Sequence, residues 1–230
     1  MEVLKTIPLS DGVNFNLYPG PIGLLCSGGA DSSLMMYFAL RFYKGMGTLH
    51  IFDLANNPLG LKNTVAVTKA LNKNVELTGN HDVQLHIIHM DGDKPDGPEI
   101  LGDMIKQVGV DINVVMTGVT KNPPKEVLDT FTDEYECSKD PNRDEPNLAE
   151  QLYDATDEGY PWVYTPWSLI DKQGLGDLYK KYDLMDSLFP LTYSCEYYPR
   201  DKVYADPGDK HCGKCWWLSL IHISEPTRPY

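Results

Sequence analysis

Hydrophobic positions form short, nearly continuous runs that alternate with longer segments of helical spacing over the first half of the chain. The apolar runs cover residues 20–27, 47–57, 83–91 and 110–124, and such runs are typical of strands covered on both faces. The segments between them, at residues 31–45, 58–74 and 97–109, predict helices. The pattern therefore predicts an α/β fold with a parallel sheet flanked by helices, with connections too long for hairpins.

The carboxyl ends of these strands define a candidate binding edge. In open parallel sheets, ligands bind in the crevice outside the carboxyl ends of the strands. The segments expected there are residues 27–33, 53–57, 90–93 and 117–122. Chemistry is therefore sought in these four loops first.

The periodicity weakens after Lys121. Residues 129–159 are rich in acidic side chains and predict a solvated insertion or loop within about residues 120–160. Residues 160–184 predict a short extended segment, a turn and an amphipathic helix. The sequence is thus divided into a domain at residues 1–190, a cysteine-bearing region at 191–217 and a tail at 218–230.

Composition and charge narrow the function classes. The 230 residues, 42% hydrophobic and 23% charged, are ordinary for a soluble globular protein. No run approaches the roughly 20 apolar residues that span a bilayer, so a cytoplasmic protein without a membrane partner is expected. The net charge of −13 repels a phosphate backbone and argues against direct nucleic-acid binding, although backbone amides and a few lysines can still hold a small anion.

The loop after the first predicted parallel strand has the composition of an anion site. Gly28 and Gly29 let the backbone approach a ligand, at a strand-to-helix turn whose free N–H groups favour phosphate. Serine hydroxyls can add donors, and Asp31 can hold a metal carried by a nucleotide or cap the helix. A turn that only caps the helix is the alternative.

The segment S-G-G-A-D-S, residues 27–32, resembles the S-G-G-x-D-S signature of the N-type ATP pyrophosphatases, the PP-loop family. The resemblance implies an adenine nucleotide α-hydrolase-like, Rossmann-like domain that uses ATP and Mg²⁺, with Asp31 and Ser32 as catalytic residues. The predicted cofactor-binding residues are Cys26, Ser27, Gly28, Gly29, Ala30, Asp31, Ser32, Ser33, Asp53, Gly118 and Lys121. For Asp53, capping of the next turn is the alternative to a contact with adenine or ribose, and for Lys121 a solvated side chain is the alternative to a phosphate contact.

A cysteine cluster lies near the end of the chain. Cys212 and Cys215 have the two-residue spacing of half a structural zinc site, with Cys195 as a third ligand. Inert or redox-active thiols are the alternative interpretation.

The order T-P-W-S-L-I-D-K, then T-Y-S-C and C-G-K-C, resembles the C-terminal half of 7-cyano-7-deazaguanine synthases, in which four cysteines hold Zn²⁺. The resemblance covers most of residues 20–217. The chain departs from it at Leu218, where the fourth cysteine is expected, so His211, His222 or water would have to complete the site. Residues 218–230 are expected to be a translated sequencing adapter, which would make the chain a fragment.

The resemblance implies a carbon–nitrogen ligase of 7-deazapurine and queuosine biosynthesis. It would convert 7-carboxy-7-deazaguanine and ammonia to 7-cyano-7-deazaguanine through an adenylated carboxylate. Another PP-loop amidotransferase, a tRNA-modifying enzyme and a catalytically silent nucleotide-binding protein are the alternatives, and a homodimer stays open.

Overall fold

The described strands form a central six-stranded sheet and a separate two-stranded sheet. The computed structural model describes residues 1–43, 46, 48–54, 58–73, 83–88, 98–128, 151–156 and 159–194. The strands are β1 (Lys5–Ser10), β2 (Val13–Leu17), β3 (Ile22–Leu25), β4 (Leu49–Leu54), β5 (Val83–Ile88), β6 (Val114–Thr117), β7 (Leu152–Tyr153) and β8 (Trp162–Tyr164). The two-stranded sheet is β1-β2; the six-stranded sheet has the order β5-β4-β3-β6-β8-β7, and every pair in it is parallel except β7 with β8.

Helices flank this sheet as the hydrophobic pattern predicts. They are α1 (Ala30–Phe42), α2 (Pro58–Lys73), α3 (Pro98–Val108), α4 (Lys125–Leu128) and α5 (Lys172–Lys181), followed by a 3₁₀ helix at Phe189–Leu191. The predicted mixed α/β class, with a mostly parallel sheet and covering helices, is confirmed. The arrangement is compatible with a Rossmann-like fold.

Strand β3 lies in the middle of the sheet and is apolar because both of its faces are covered. Leu24 pairs with Ile51 of β4 on one side and Met116 of β6 on the other, and all three belong to one buried cluster. Phe52 and Val115 belong to a second cluster. Since successive strand residues point to opposite faces, the near-continuous apolar runs follow directly from burial on both sides.

An antiparallel hairpin precedes the sheet and was not predicted. Strands β1 and β2 pair from Lys5↔Leu17 to Ser10↔Val13, so Asp11 and Gly12 form the turn, with Gly12 at φ +71°. The expectation that connections are too long for hairpins concerned the strands from residue 20 onward and does not cover this segment. The signal was present, because Asp-Gly between strand-like segments favours a two-residue hairpin turn.

The end of the acidic segment contributes to the sheet. Leu152 and Tyr153 form the edge strand β7 against β8, and Ala155 is fully buried. This strand was not predicted, because the stretch was assigned to an insertion or loop. In the part of the chain that the structure describes, no helix has the length and apolar character needed to cross a membrane.

Candidate functional site

The loops after β3 and β6 meet at the carboxyl edge of the sheet. From β3 the sheet continues to β4 in one direction and to β6 in the other, which makes this edge a topological switch point. A Cβ atom on Gly118 would lie 2.8 Å from the backbone N of Ser32 and 3.0 Å from the backbone C of Asp31. Glycine is needed at position 118 because any side chain would strike the first turn of α1.

The turn at residues 27–30 carries the chain from β3 into α1. Gly28 adopts φ +71°, a conformation that favours glycine. Gly29 is the residue before the helix and contributes no side-chain cap. Helical bonding begins with the N–H of Ser33, which donates to Gly29 O at 3.0 Å.

The hydroxyl of Ser32 closes this turn from within. It accepts a hydrogen bond from the N–H of Ser27 at 3.2 Å and donates to Gly29 O at 3.2 Å. Ser32 and Ser33 are buried, whereas Ser27 is exposed. In the described structure the Ser32 hydroxyl therefore organises the loop, and its predicted catalytic role stays a prediction.

In the described part of the chain, the turn leaves several backbone N–H groups unpaired at the carboxyl edge of the sheet. Among the described residues, the amides of Gly28, Gly29, Asp31 and Ser32 have no hydrogen-bond partner. The amide of Ala30 donates to the Ser194 hydroxyl at 2.7 Å. Unpaired amides at the positive end of a helix dipole form an anion-binding environment.

A partly buried ion pair lies beside these amides. Lys172 Nζ, at the first position of α5, contacts Asp31 Oδ2, and the two side chains are 2% and 22% exposed. The second oxygen of the carboxylate, Asp31 Oδ1, is buried and has no partner among the described residues. This arrangement pairs a cation that can meet an anionic ligand with a carboxylate oxygen that can meet a metal ion.

Lys172 was not among the predicted site residues. The sequence contained a signal that could have identified it. A lysine at the start of a helix interacts unfavourably with the helix dipole, so its presence there suggests a role other than helix stability. The same lysine ends the T-P-W-S-L-I-D-K segment that carried the family resemblance. The predicted lysine, Lys121, lies on the same edge, where its N–H donates to Ile170 O at 2.8 Å.

Two aromatic side chains hold the first turn of α1 against the second half of the domain. Trp167 Nε1 donates to Asp31 O at 3.0 Å, and the Tyr179 hydroxyl donates to Ala30 O at 2.7 Å. Both aromatic residues are fully buried. Trp167 is thus a core residue of the domain.

Hydroxyl groups without partners line the same edge. Thr117 is the last residue of β6, Thr120 lies in the loop after it, and Ser168 lies in the turn before α5. The side-chain oxygens of all three are buried without a hydrogen-bond partner in the described part of the chain. Because buried polar groups are normally satisfied, each of these three hydroxyls is a candidate contact for a polar ligand or a water molecule.

Asp53 and Cys26 lie at the ends of the neighbouring strands. Burial raises the pKa of the Asp53 carboxyl, and the nearby Thr64 hydroxyl offsets part of this rise without reaching hydrogen-bond geometry. Burial, and secondarily the charge of Asp53, raises the pKa of the Cys26 thiol far above its ordinary value. Cys26 is therefore a protonated core thiol rather than a nucleophile.

The predicted zinc ligands Cys195, Cys212 and Cys215 lie outside the described residues. Within residues 1–194, as far as the structure describes them, no group of three or more His, Cys, Asp or Glu side chains could hold a metal ion. The zinc region therefore stays a prediction.

Comparison of this chain with protein-family models, with curated proteins and with solved structures finds no match. The site is accordingly interpreted from its own geometry. Within the described residues, unpaired amides, the buried Lys172 and three unpartnered hydroxyls occur near this edge of the sheet.

Proposed function

We propose that the protein is an ATP-dependent carbon–nitrogen ligase whose turn at residues 27–33 holds the departing pyrophosphate. The observation that carries the proposal is the set of unpaired amides of Gly28, Gly29, Asp31 and Ser32 at the start of α1. These amides lie at the carboxyl edge of the sheet, at the switch point between β3 and β6. An adenine nucleotide α-hydrolase-like fold is the specific form of the α/β architecture that this proposal requires.

The charged pair supports the binding of a metal-bound nucleotide. Lys172 would donate to phosphate oxygens, and Asp31 would hold Mg²⁺ through its oxygens, one of which is already unpaired. Bound Mg²⁺ would neutralise phosphate charge as pyrophosphate leaves. When the site is empty, Asp31 and Lys172 neutralise each other, so neither charge is buried alone.

The substrates of the proposed reaction are 7-carboxy-7-deazaguanine, ammonia and ATP, following the family resemblance. The substrate carboxylate attacks the α-phosphorus of ATP, and the bond to the bridging oxygen breaks to release pyrophosphate. Ammonia then adds to the acyl carbon and expels AMP, leaving the primary amide after loss of a proton. Adenylation of the amide oxygen by a second ATP, followed by loss of AMP and a proton, gives the nitrile.

Positioning and charge stabilisation are sufficient for this chemistry. The nucleophiles are the substrate carboxylate, ammonia and the amide oxygen, so no side chain has to attack. The donors of the turn and Lys172 oppose the negative charge that develops on the departing pyrophosphate. The protonated state of the Cys26 thiol is consistent with a mechanism that uses no cysteine nucleophile.

The test is product formation by the whole chain. Protein is incubated with ATP, Mg²⁺, ammonium and 7-carboxy-7-deazaguanine, and AMP, pyrophosphate and the nitrile are followed by mass spectrometry. We expect Asp31→Asn to lower AMP release by more than about 100-fold, the usual effect of losing a group that stabilises transition-state charge. Asp103→Asn, an exposed position on α3, is the matched control and should keep wild-type activity.

The result has three informative outcomes. AMP and nitrile together support the proposed ligase. AMP release with a different carboxylate but no nitrile would retain the PP-loop chemistry and reject the deazapurine substrate. Absence of both AMP release and ATP binding in the folded wild-type protein would reject the proposed function.

A further inference from the structure

The last described residue, Ser194, touches the start of α1. Ser194 Oγ lies 2.7 Å from the N of Ala30, and the preceding N–H, of Tyr193, donates to Gly28 O at 2.8 Å. The segment that follows the 3₁₀ helix is therefore bound to the turn by two hydrogen bonds. Ala30 and Ser194 are 164 residues apart in the sequence.

In the hydrogen bond between Ala30 and Ser194, the Ser194 hydroxyl is the acceptor, so its own O–H can still donate. A backbone amide can only donate, so Ser194 Oγ is the acceptor in its contact with Ala30. Among the described residues the structure gives this oxygen no second partner. Ser194 therefore presents an O–H donor at a place where the neighbouring amides are donors as well.

Gly29 shows how closely Ser194 approaches the centre of the turn. A Cβ atom on Gly29 would lie 3.2 Å from Ser194 Oγ and 3.4 Å from Ser27 Oγ. The two hydroxyl oxygens thus flank the position above Gly29. The carbonyl oxygen of Tyr193 lies 3.7 Å from the same position, so one acceptor faces it together with the two hydroxyls.

We propose that Ser194 is a further binding residue for the pyrophosphate in the turn. Its oxygen accepts a hydrogen bond from the N–H of Ala30, and its O–H donates a hydrogen bond to a phosphate oxygen. The amide at the first position of α1 thus acts on the anion through Ser194, while the amides of Asp31 and Ser32 act directly. This inference rests on the proposed function.

The experiment measures the binding of magnesium pyrophosphate to the full chain by isothermal titration calorimetry. We expect Ser194→Ala to weaken binding about tenfold, the value of one hydrogen bond to a charged group. Ser194→Thr keeps the hydroxyl and should bind within about twofold of wild type. Ser187→Ala makes the same change at an exposed serine and should leave binding unchanged.

A double-mutant cycle with Gly29→Ala tests the geometry. Gly29 has φ −76° and ψ 165°, which alanine adopts freely, so the new methyl group acts without backbone strain, by crowding Ser194 Oγ at 3.2 Å and Ser27 Oγ at 3.4 Å. Gly29→Ala should weaken pyrophosphate binding in the wild-type background and have a smaller effect in the Ser194→Ala background. Additive effects would contradict a shared action of the two positions.

The outcomes separate this inference from the proposed function. If wild type binds pyrophosphate and Ser194→Ala binds equally well, Ser194 is only a helix cap and the inference is wrong. If Ser194→Ala binds more tightly, the hydroxyl competes with the anion and the inference is likewise wrong. If folded wild type binds neither pyrophosphate nor ATP, both the ligase proposal and the role of Ser194 are rejected.

Discussion

Asp53 is an acidic side chain that the fold removes almost completely from water, with 1% of its surface exposed. Its Oδ2 and the Oγ1 of Thr64 are both buried without a hydrogen-bond partner in the described structure. Burial disfavours the charged carboxylate and raises the pKa of Asp53 above its ordinary value of 3.8. At neutral pH this position therefore opposes folding unless a ligand supplies a donor.

We predict that Asp53→Asn stabilises the ligand-free protein at pH 8. The folded state holds the Asp53 proton to higher pH than the unfolded state does, so the free energy of unfolding falls as pH rises from about 4 through the raised pKa. Asparagine has the same shape and cannot ionise. Its advantage, about 1 kcal/mol at pH 8, should shrink towards pH 4.

Urea unfolding at several pH values measures this effect, with Asp103→Asn as the control at an exposed site. An Asp53→Asn advantage that grows on acidification would contradict the assigned direction. If Asp53 contacts the nucleotide, as its predicted site role requires, the same variant should also weaken ATP binding.

The hairpin β1–β2 contributes an aromatic side chain to the main core. Phe15 of β2 is fully buried, and its ring centroid lies 6.0 Å from Phe38 of α1 and 5.9 Å from Trp167. Trp167 in turn bonds the backbone of Asp31. Packing of the hairpin is thus connected to the first turn of α1 through one aromatic neighbour.

We predict that Phe15→Ala lowers the free energy of unfolding by about 3–5 kcal/mol, the usual loss when a buried phenylalanine leaves a cavity. Phe15→Leu should lower it less, because leucine refills part of the volume. Chemical denaturation checks both values. A loss below about 1 kcal/mol for Phe15→Ala would mean that the hairpin is dispensable for the core.

Several residues that follow β6 in the chain contact the turn at residues 27–33. Trp167, Lys172, Tyr179 and Ser194 all contact residues 30–31. Each of the four comes from the second half of the described chain. The start of α1 is therefore fixed by tertiary contacts on several sides, which is the preorganisation that charge stabilisation requires.

The whole molecule carries a net charge of −13, which opposes association with polyanions while leaving a local anion site intact. A tRNA presents many phosphates at once, and its binding would need a broad basic surface. Pyrophosphate needs only the few donors of one turn. The charge therefore favours a small-molecule ligase over a tRNA-modifying enzyme.

We predict that tRNA does not bind at micromolar protein in about 50 mM salt, a condition that favours electrostatic association, whereas magnesium pyrophosphate does. Fluorescence anisotropy with labelled tRNA checks the first statement and calorimetry the second. Binding of tRNA that weakens steeply with added salt would support the tRNA-modifying alternative instead.

The amino-acid sequence was sufficient for the fold class, most helices and the turn at residues 27–33. These features depend on neighbours along the chain. Apolar runs indicate burial of a strand on both faces, and two adjacent glycines indicate a turn whose backbone needs unusual conformational freedom. The hairpin turn at Asp11 and Gly12 was equally readable from local residues and was overlooked.

The side chains that contact the turn at residues 27–33 were decided by the packing of distant segments. Asp31 and Lys172 are separated by 141 positions, and neither periodicity nor motif spacing says which side chains meet across the sheet edge. Gly118 approaches Ser32 because β6 lies beside β3 in the sheet order. Local propensity sets the elements, but which groups share a buried site depends on how the sheet brings its loops together.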